Sequence, residues 1–447
     1  MVMVAKPSRY NIEVEADGAL FLYNPVSSAL LRLDGPTAET YRAIAAGGSP
    51  DPGHPLTQEL TRGRMLVDDS LNELLAIRTD YLRGRFGHSP NLALTIAPTL
   101  DCNLDCVYCF ESKRRAYMDR ATEDAVLAFV RSRVPPGFKR LDVFWYGGEP
   151  LLCIDTMERL SRALISLCSE EGAEYRGHVT TNGSLLDRNA AQLLRELRVE
   201  KAQFTIDGGE DTHNSRRPLA GGAPSFEATV ENLRHCHPLI PCVVRVNVDK
   251  GNTAAALEIF DVVERLGLKN QVAIYFAPVQ ASTDACRSIH SGCHSPPDFA
   301  GIQVQLYRAA LARGFYNVGA YPRRRMAACG AIRDDHVLIG PDGTLWKCWE
   351  TVGEPAEAVG HVARPGEVLP RAYEWSGWDP LDQPECRECR VFPLSDGCCP
   401  WRWRRYLAGV SRVRPCVTYR FNIAEILRLY IEKMERTGTV GAPPDRQ

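Results

Sequence analysis

The chain divides into three stretches by the rhythm of its apolar residues. Between 9 and 34, short apolar-rich runs at 9–15, 19–23 and 29–33 are punctuated by Asp17-Gly18 and Asn24-Pro25, a pattern that predicts three strands joined by turns. Helix-like stretches follow at 37–46, 55–65 and 71–82, the last with apolar residues at helical spacing. From 91 to about 278, strand-like and helix-like runs alternate. Six strands are predicted, at 92–98, 141–146, 178–181, 202–206, 243–248 and 272–278, with helices between them such as 123–134, 155–171 and 189–197. Repeated β-α units imply a parallel sheet with helices outside, and six units suit an open partial barrel, (β/α)6, better than a closed eight-stranded one. From about 326 onward the chain is cysteine-rich. There Val337-Leu-Ile-Gly-Pro-Asp-Gly-Thr-Leu-Trp-Lys-Cys-Trp349 predicts a hairpin that turns at Pro341-Asp342-Gly343 and delivers Cys348. The expected organisation is an amino-terminal module (1–90), a barrel (91–285), a bridging linker (286–325) and a cysteine-rich region (326–447).

Composition narrows the class. The 447 residues exceed what one hydrophobic core organises, so two or three domains are expected. With 45% apolar and 24% charged residues and no apolar run of membrane-spanning length, the chain reads as soluble and without a membrane partner. The start, Met1-Val-Met-Val-Ala-Lys-Pro-Ser8, has no apolar h-region, so no secretion is expected. A formal charge of -2 excludes a general polyanion-binding surface, hence no nucleic-acid partner, and the basic runs 323–325 and 401–405 read as solvated faces. Sixteen cysteines without a secretion signal favour metal ligation over disulfides, and a cytoplasmic, oxygen-poor setting is expected.

The candidate chemistry centres on Asp101-Cys-Asn-Leu-Asp-Cys-Val-Tyr-Cys-Phe110. Cys102, Cys106 and Cys109, spaced C-x-x-x-C-x-x-C after the first barrel strand, can each bind one iron of a [4Fe–4S] cube. Clusters that only carry electrons normally take four cysteines, so three leave one iron open to a ligand, as catalytic metal sites keep a vacant position. A zinc knuckle is the competing reading. It would want a fourth Cys or His close by, and none follows within a dozen residues.

This spacing, with aromatic Tyr108 before the third cysteine, resembles the signature of the radical S-adenosylmethionine (SAM) enzymes. Gly147-Gly148-Glu149-Pro150, after the apolar run Val143-Phe-Trp-Tyr146, resembles that family's segment for the methionine amino group. Two glycines permit close backbone approach and a carboxylate pairs with an ammonium. Thr181-Asn182-Gly183, Phe204-Thr205-Ile206-Asp207-Gly208 and Arg245-Val246-Asn247 fall where the family contacts the ribose and carboxylate of SAM. The resemblance implies cofactor contacts at Tyr108, Gly147, Gly148, Glu149, Pro150, Asn182, Thr205 (ribose), Arg217 (carboxylate), Arg245 and Ala277. Arg216 competes with Arg217 for its role. All lie toward the carboxyl ends of the expected strands, where α/β active sites sit.

The cysteines beyond 326 resemble a SPASM domain, the carboxy-terminal extension that holds two auxiliary [4Fe–4S] clusters in such enzymes. The pattern matches Cys329, Gly343, Cys348, Cys386, Cys389, Cys399 and Cys416, but Ser395 stands where a cysteine is expected and Cys398 is extra. Crossed ligation in that family implies Cys329, Cys348 and Cys399 on the first auxiliary cluster. Cys386, Cys389 and Cys416 go to the second, with Cys398 replacing the missing ligand, since thiolate suits iron better than a hydroxyl. The fourth ligand of the first cluster is left among Cys293, Cys286 and a substrate thiolate. Zinc is the competing occupant of this region. Cys153, Cys168, Cys236 and Cys242 read as buried small apolar residues.

The strand–helix pattern of the first 90 residues resembles the winged-helix module with which peptide-modifying enzymes hold a leader peptide, the alternative being a cap packed on the barrel. Together the resemblances imply three [4Fe–4S] clusters, SAM, a 5′-deoxyadenosyl radical, and a crosslink, thioether or carbon–carbon, formed in a ribosomally made precursor peptide. The implied partners are that precursor with its leader and a small electron donor of flavodoxin or ferredoxin type. Oxidation of a protein Cys or Ser, as in anaerobic sulfatase maturases, is the second enzyme reading, and an iron–sulfur electron carrier the non-enzymatic one.

Overall fold

The structure, a computed structural model, describes residues 5–87, 89–319, 321–324 and 329–438. Met1 to Val4, Arg325 of the basic run and the tail beyond 438 lie outside them. The six expected barrel strands form, at Asn91–Ile96, Arg140–Trp145, Glu174–Thr180, Val199–Thr205, Cys242–Val248 and Ala273–Pro278, parallel and adjacent in chain order. Helices such as Arg120–Arg133, Ile154–Glu170 and Arg188–Glu196 cover them, and one hydrophobic core runs beneath all of these elements.

The sheet does not stop at six strands. His336–Ile339 pairs parallel to the first barrel strand, with His336 opposite Ala93 and Ile339 opposite Ile96. Thr344–Trp346 and Gly360–His361 then add antiparallel, giving nine strands in one sheet. The expected hairpin is present, with Gly343 at φ 82°, but its first strand covers the barrel's open edge. An unpaired edge is a liability that folds usually cover. Nothing in a four-residue apolar run reveals a partner some 240 residues upstream.

The amino-terminal module also forms as a three-stranded antiparallel meander, Ile12–Ala16, Ala19–Asn24 and Ala29–Leu33, followed by helices Gly35–Ala45, Pro55–Arg62 and Glu73–Phe86. A short ribbon between Ala5–Pro7 and Leu66–Asp68, unexpected from the sequence, closes it. The central strand is buried on both faces: Leu20 and Leu22 meet the helices, while Phe21 and Tyr23 face away from them. That second face packs on the cysteine-rich region through Val391, Leu394, Leu427 and Ile431. Buried Arg85 donates to the carbonyls of Ile332, Trp378 and Ser376, and the Tyr23 hydroxyl donates to Pro322 O. The module is therefore docked on the carboxy-terminal region, not the barrel. The stretch read as a linker carries the helix Pro296–Ala312, joined to the terminal helix Tyr419–Thr437 by Asn422 Nδ2 donating to Ala300 O and Gln303 Oε1, both at 3.0 Å. Among the described residues no helix is long and apolar enough to cross a membrane.

Candidate active site and auxiliary cysteine groups

The cysteine loop leaves the first barrel strand and is clamped to the segment after the fourth. Asp105 N donates to Pro218 O, Val107 N to Arg216 O, and Ala220 N to Asn103 O, with Leu104 buried as the anchor. Cys102, Cys106 and Cys109 stay partly exposed on this loop. Burial pushes the thiol of Cys102 up to about 11 and that of Cys109 to about 12, the carboxylates of Glu149 and Glu111 adding to the effect. Metal-free, these thiols are neutral at pH 7; a cluster's positive charge is what makes such donors thiolates.

Gly147 and Gly148 serve the loop itself. A Cβ on Gly147, at φ 124°, would lie 2.3 Å from Thr99 O, and one on Gly148 2.2 Å from Asp101 O. The glycines let this turn and the start of the cysteine loop touch backbone to backbone, with Gly148 N bonded to Thr99 O and Glu149 N to Asp101 O. The close approach that the structure shows is to the loop. Glu149 is 0% exposed and caps the turn Pro150–Cys153. Its Oε1 accepts from Leu151 N at 3.1 Å and Thr181 Oγ1 at 2.8 Å, and its Oε2 from Asn182 N at 2.7 Å. Burial pushes its carboxyl up to about 7 against those donors. Oε2, with one donor, keeps accepting capacity, and an ammonium beside it would favour the ionised form.

The two arginines part company. Arg216 is committed to Asp249 at 2.8 Å and Asp207 at 3.3 Å. Arg217 donates Nη1 to the Tyr108 hydroxyl at 2.7 Å, while its Nε is buried without a partner. A buried unpartnered guanidinium nitrogen fits a carboxylate-bearing ligand. The Tyr108 hydroxyl also meets Asp207 Oδ2 at 2.5 Å and accepts from Asn247 Nδ2 at 3.0 Å, so one buried network ties the loop to the strand ends. Asp207 and Asn247, present in the motifs but not singled out, are its hubs. Asn182 Nδ2 donates to Asn103 Oδ1 at 2.8 Å and faces Cys102 Sγ at 3.8 Å. Sheet register sets Thr205 opposite Arg245 and Asn247 opposite Ala277, and Arg245 Nε donates to Asn247 Oδ1. The residues assigned to SAM thus gather at one end of the sheet. The glycine turn, the spare Arg217 donor and the three-thiol loop are a donor set that fits SAM and an open-iron cluster.

Sequence reasoning missed three neighbours. Glu111 is buried with an unpartnered Oε2, its carboxyl pushed up to about 8 by desolvation. It adjoins Tyr146, whose ring stacks on Trp349 at 5.4 Å. Trp349 follows Cys348, so this pair joins the loop to the carboxy-terminal cysteines. The Cys-Phe-Glu run at 109–111 was the available signal.

Those cysteines fall into two groups. Cys386, Cys389, Cys398 and Cys416 line one cavity together with Ser395. Cys329, Cys348 and Cys399 are mutual electrostatic neighbours. Adjacent Cys398 and Cys399 separate because Asp396, Gly397 and Cys398 are all left-handed, at φ 46°, 82° and 74°. A side chain on Gly397 would meet Pro380 Cβ at 2.0 Å, so glycine is required there. Ser395 is turned on its own segment, its hydroxyl donating to Phe392 O at 3.3 Å. Burial pushes up the thiols of Cys329, Cys348, Cys386, Cys389, Cys398 and Cys399, those of Cys386 and Cys399 to about 12. Among the described residues no three Cys, His, Asp or Glu side chains close on a point the size of one metal ion. Thiols grouped in this way are donors that a four-iron cube or a zinc ion takes.

Cys286 and Cys293, the two cysteines considered as the fourth ligand, each face their own turn. Cys286 Sγ faces Thr283 O at 3.4 Å, and Cys293 Sγ faces Ile289 O at 3.5 Å, each within its own turn. Cys168, Cys236 and Cys242 are buried as expected; Cys153 is only partly so, with Sγ 3.8 Å from Pro98 O.

Residues 96–263 match the radical SAM superfamily. The chain carries a radical SAM domain. Over 347 residues, 73% of this chain and 82% of the relative, it is 24% identical to a serine-type anaerobic sulfatase-maturating enzyme of Klebsiella aerogenes. Among solved structures it is similar to native anSMEcpe with bound AdoMet and the Cp18Cys peptide, with TM-score 0.63 and 17% identity over 79% of this chain and all of that one. It is also similar to Streptococcus suis SuiB bound to the precursor peptide SuiA, with TM-score 0.52 and 14% identity over 90% of this chain and 97% of that one. At these identities the likeness establishes the fold: a radical SAM partial barrel with further modules at both ends.

Proposed function

We propose that this protein is a radical SAM maturase that forms a thioether or carbon–carbon crosslink in a ribosomally made precursor peptide. The observation that carries this reading is a groove of about 790 Å³ in the amino-terminal module. Val26, Val67, Leu71, Leu75 and Ile77 line it, with Leu75 60% exposed, and Arg64, Arg83, Asp68 and Asp80 stand around it. One side of the groove is the short strand Leu66–Asp68, which has Ala5–Pro7 as its one strand partner among the described residues. A leader segment can pair with such a strand through its backbone and set apolar side chains into the groove, a mode that tolerates varied core sequences. The likeness to peptide-bound SuiB over 90% of the chain supports the same reading.

When bound, the cluster on Cys102, Cys106 and Cys109 together with SAM supplies a 5′-deoxyadenosyl radical. The chain's own residues would orient SAM: Glu149 would accept from the ammonium, Arg217 Nε would donate to the carboxylate, and Thr205 and Asn182 would serve the ribose side. The Tyr108–Asp207–Asn247 network keeps the cysteine loop on the strand ends, which holds its three thiols in a fixed place relative to those residues. Auxiliary clusters on the two carboxy-terminal groups, with an external flavodoxin- or ferredoxin-type donor, would handle electrons.

The test is Leu75→Glu in the full chain, with synthetic peptides translated from whatever short reading frames neighbour the gene. Peptide binding and crosslinking should fall at least tenfold while peptide-independent 5′-deoxyadenosine release persists. Unchanged processing would reject the leader reading. Oxidation of a Cys or Ser in a folded protein is the second reading, supported by the likeness to the Klebsiella aerogenes maturase; it expects no effect of Leu75→Glu. Absence of 5′-deoxyadenosine after reconstitution and reduction would leave an electron carrier.

A further inference from the structure

Taking the auxiliary-cluster reading as its basis, we infer that the first auxiliary cluster is completed by a carboxylate: Glu350 Oε2 ligates the iron that has no thiolate, and Arg402 holds Oε1. Glu350 follows Cys348 by two residues in the turn Trp349–Thr351, and Arg402 follows Cys399 by three residues in the helix Pro400–Leu407. The pair therefore joins the two segments that bring in the thiols. Arg402 Nη2 donates to Glu350 Oε1 at 2.6 Å. Glu350 is 9% exposed, and its other oxygen, Oε2, is buried with no hydrogen-bond partner.

A buried carboxylate oxygen without a partner is costly, and native folds rarely leave one. The unpartnered oxygen belongs to a side chain held between the two segments that carry the thiols, by the turn after Cys348 and the helix after Cys399. The Glu350 charge acts on Cys329, Cys348 and Cys399 alike, so the carboxylate lies near all three. Cys286 and Cys293 face carbonyls of their own turns, and a substrate thiolate would come from outside the chain, whereas Glu350 is already in place. A carboxylate is a harder and less donating ligand than thiolate, and it exchanges more readily. Arg402 is then a positioning residue: by taking one oxygen it orients the other and offsets part of the negative charge of a three-thiolate cluster. The second group needs no such substitute, because Cys398 brings its thiol count to four.

The test uses the full-length chain with Cys102, Cys106 and Cys109 replaced by Ala, reconstituted with ⁵⁷Fe, so that the open-iron SAM cluster is silent. About 8 irons are expected. Mössbauer spectra should show one iron site of mixed sulfur and oxygen ligation among sites ligated by sulfur alone. Glu350→Cys should convert that site to the all-sulfur type and lower the potential of one cluster, because thiolate donates more charge to iron. Glu350→Ala, and Glu350→Gln should alanine impair folding, should lose iron on mild oxidation and give the EPR signal of a three-iron cluster. All-sulfur spectra in the parent, or Glu350→Ala and Glu350→Cys both matching the parent in iron content, spectrum and potential, would overturn the assignment. Only about 4 irons in the parent, unchanged by replacing Cys329, Cys348 and Cys399, would instead remove the first auxiliary cluster itself.

Discussion

Gly148→Ala isolates the contact on which the active site's geometry rests. Gly148 has an ordinary backbone conformation, so alanine there brings no backbone strain, unlike Gly147 at φ 124°. The cost is steric. The new Cβ would lie 2.2 Å from Asp101 O, 2.6 Å from Asp101 C and 3.0 Å from Leu100 C, all backbone atoms that no rotamer change can remove. An ordinary contact begins at about 3.4 Å, so Asp101 must retreat by roughly 1.2 Å, carrying Cys102 with it; overpacking of this kind costs about 1–3 kcal/mol. The Glu149 N to Asp101 O bond at 2.9 Å stretches at the same time, which loosens the turn that caps on Glu149. In a chain this long, that cost lowers the melting temperature by a few degrees at most, roughly 2–4 °C per kcal/mol even in smaller domains. A 1 Å misplacement at a reacting centre costs on the order of 100-fold in rate. The variant should therefore fold, keep both carboxy-terminal clusters, and release 5′-deoxyadenosine about 100-fold more slowly. Iron content, circular dichroism and product release by chromatography check this. Wild-type release with intact iron would refute the argument that backbone contact between the glycine turn and the cysteine loop sets the site.

Three further outcomes are expected. Cys398→Ala should cost iron from the second auxiliary cluster while Ser395→Ala stays nearly silent, because Cys398 shares the cavity with three other thiols and the Ser395 hydroxyl is bonded to its own backbone; iron content and Mössbauer spectra decide. Arg217→Gln should weaken SAM binding about tenfold or more, in line with loss of a charge-assisted bond. Arg216→Gln should instead destabilise the fold by about 3 kcal/mol or more by leaving Asp207 and Asp249 unpaired, so calorimetry and SAM titration separate the two arginines. His213 is buried against Phe226, and desolvation pushes its pKa down from 6.5 to about 3. It stays neutral in the fold and charges only on unfolding, so its contribution is present above pH 6.5 and lost as pH falls toward 3. Between about pH 7.5 and 5.5 the loss is about 1.4 kcal/mol, and His213→Gln should remove that part of the pH dependence in urea denaturation.

Local pattern determined a good deal about this protein. The β-α alternation made the six barrel strands and their helices legible, because each unit is short and repeats one period. The spacing of Cys102, Cys106 and Cys109, and the turn at Gly147-Gly148, were readable because chelation and tight turns are set by neighbours in the chain. Pairing across long separations was not. Only the tertiary structure laid His336–Ile339 on the first barrel strand and seated the amino-terminal meander on the carboxy-terminal region. Edge covering and face-to-face burial depend on which apolar surface is left over once the domains fold. The same holds within the site. Sequence preferred Arg217 to Arg216 and Cys398 to Ser395 on local chemistry alone; the partners that bear on each choice, Asp249 for Arg216 and the Phe392 carbonyl for Ser395, exist only in the fold. Glu350 is the extreme case, since a lone Glu after a Cys-Trp pair has no signature. What marks it is an oxygen left unpaired by burial, and burial exists only once the chain has folded.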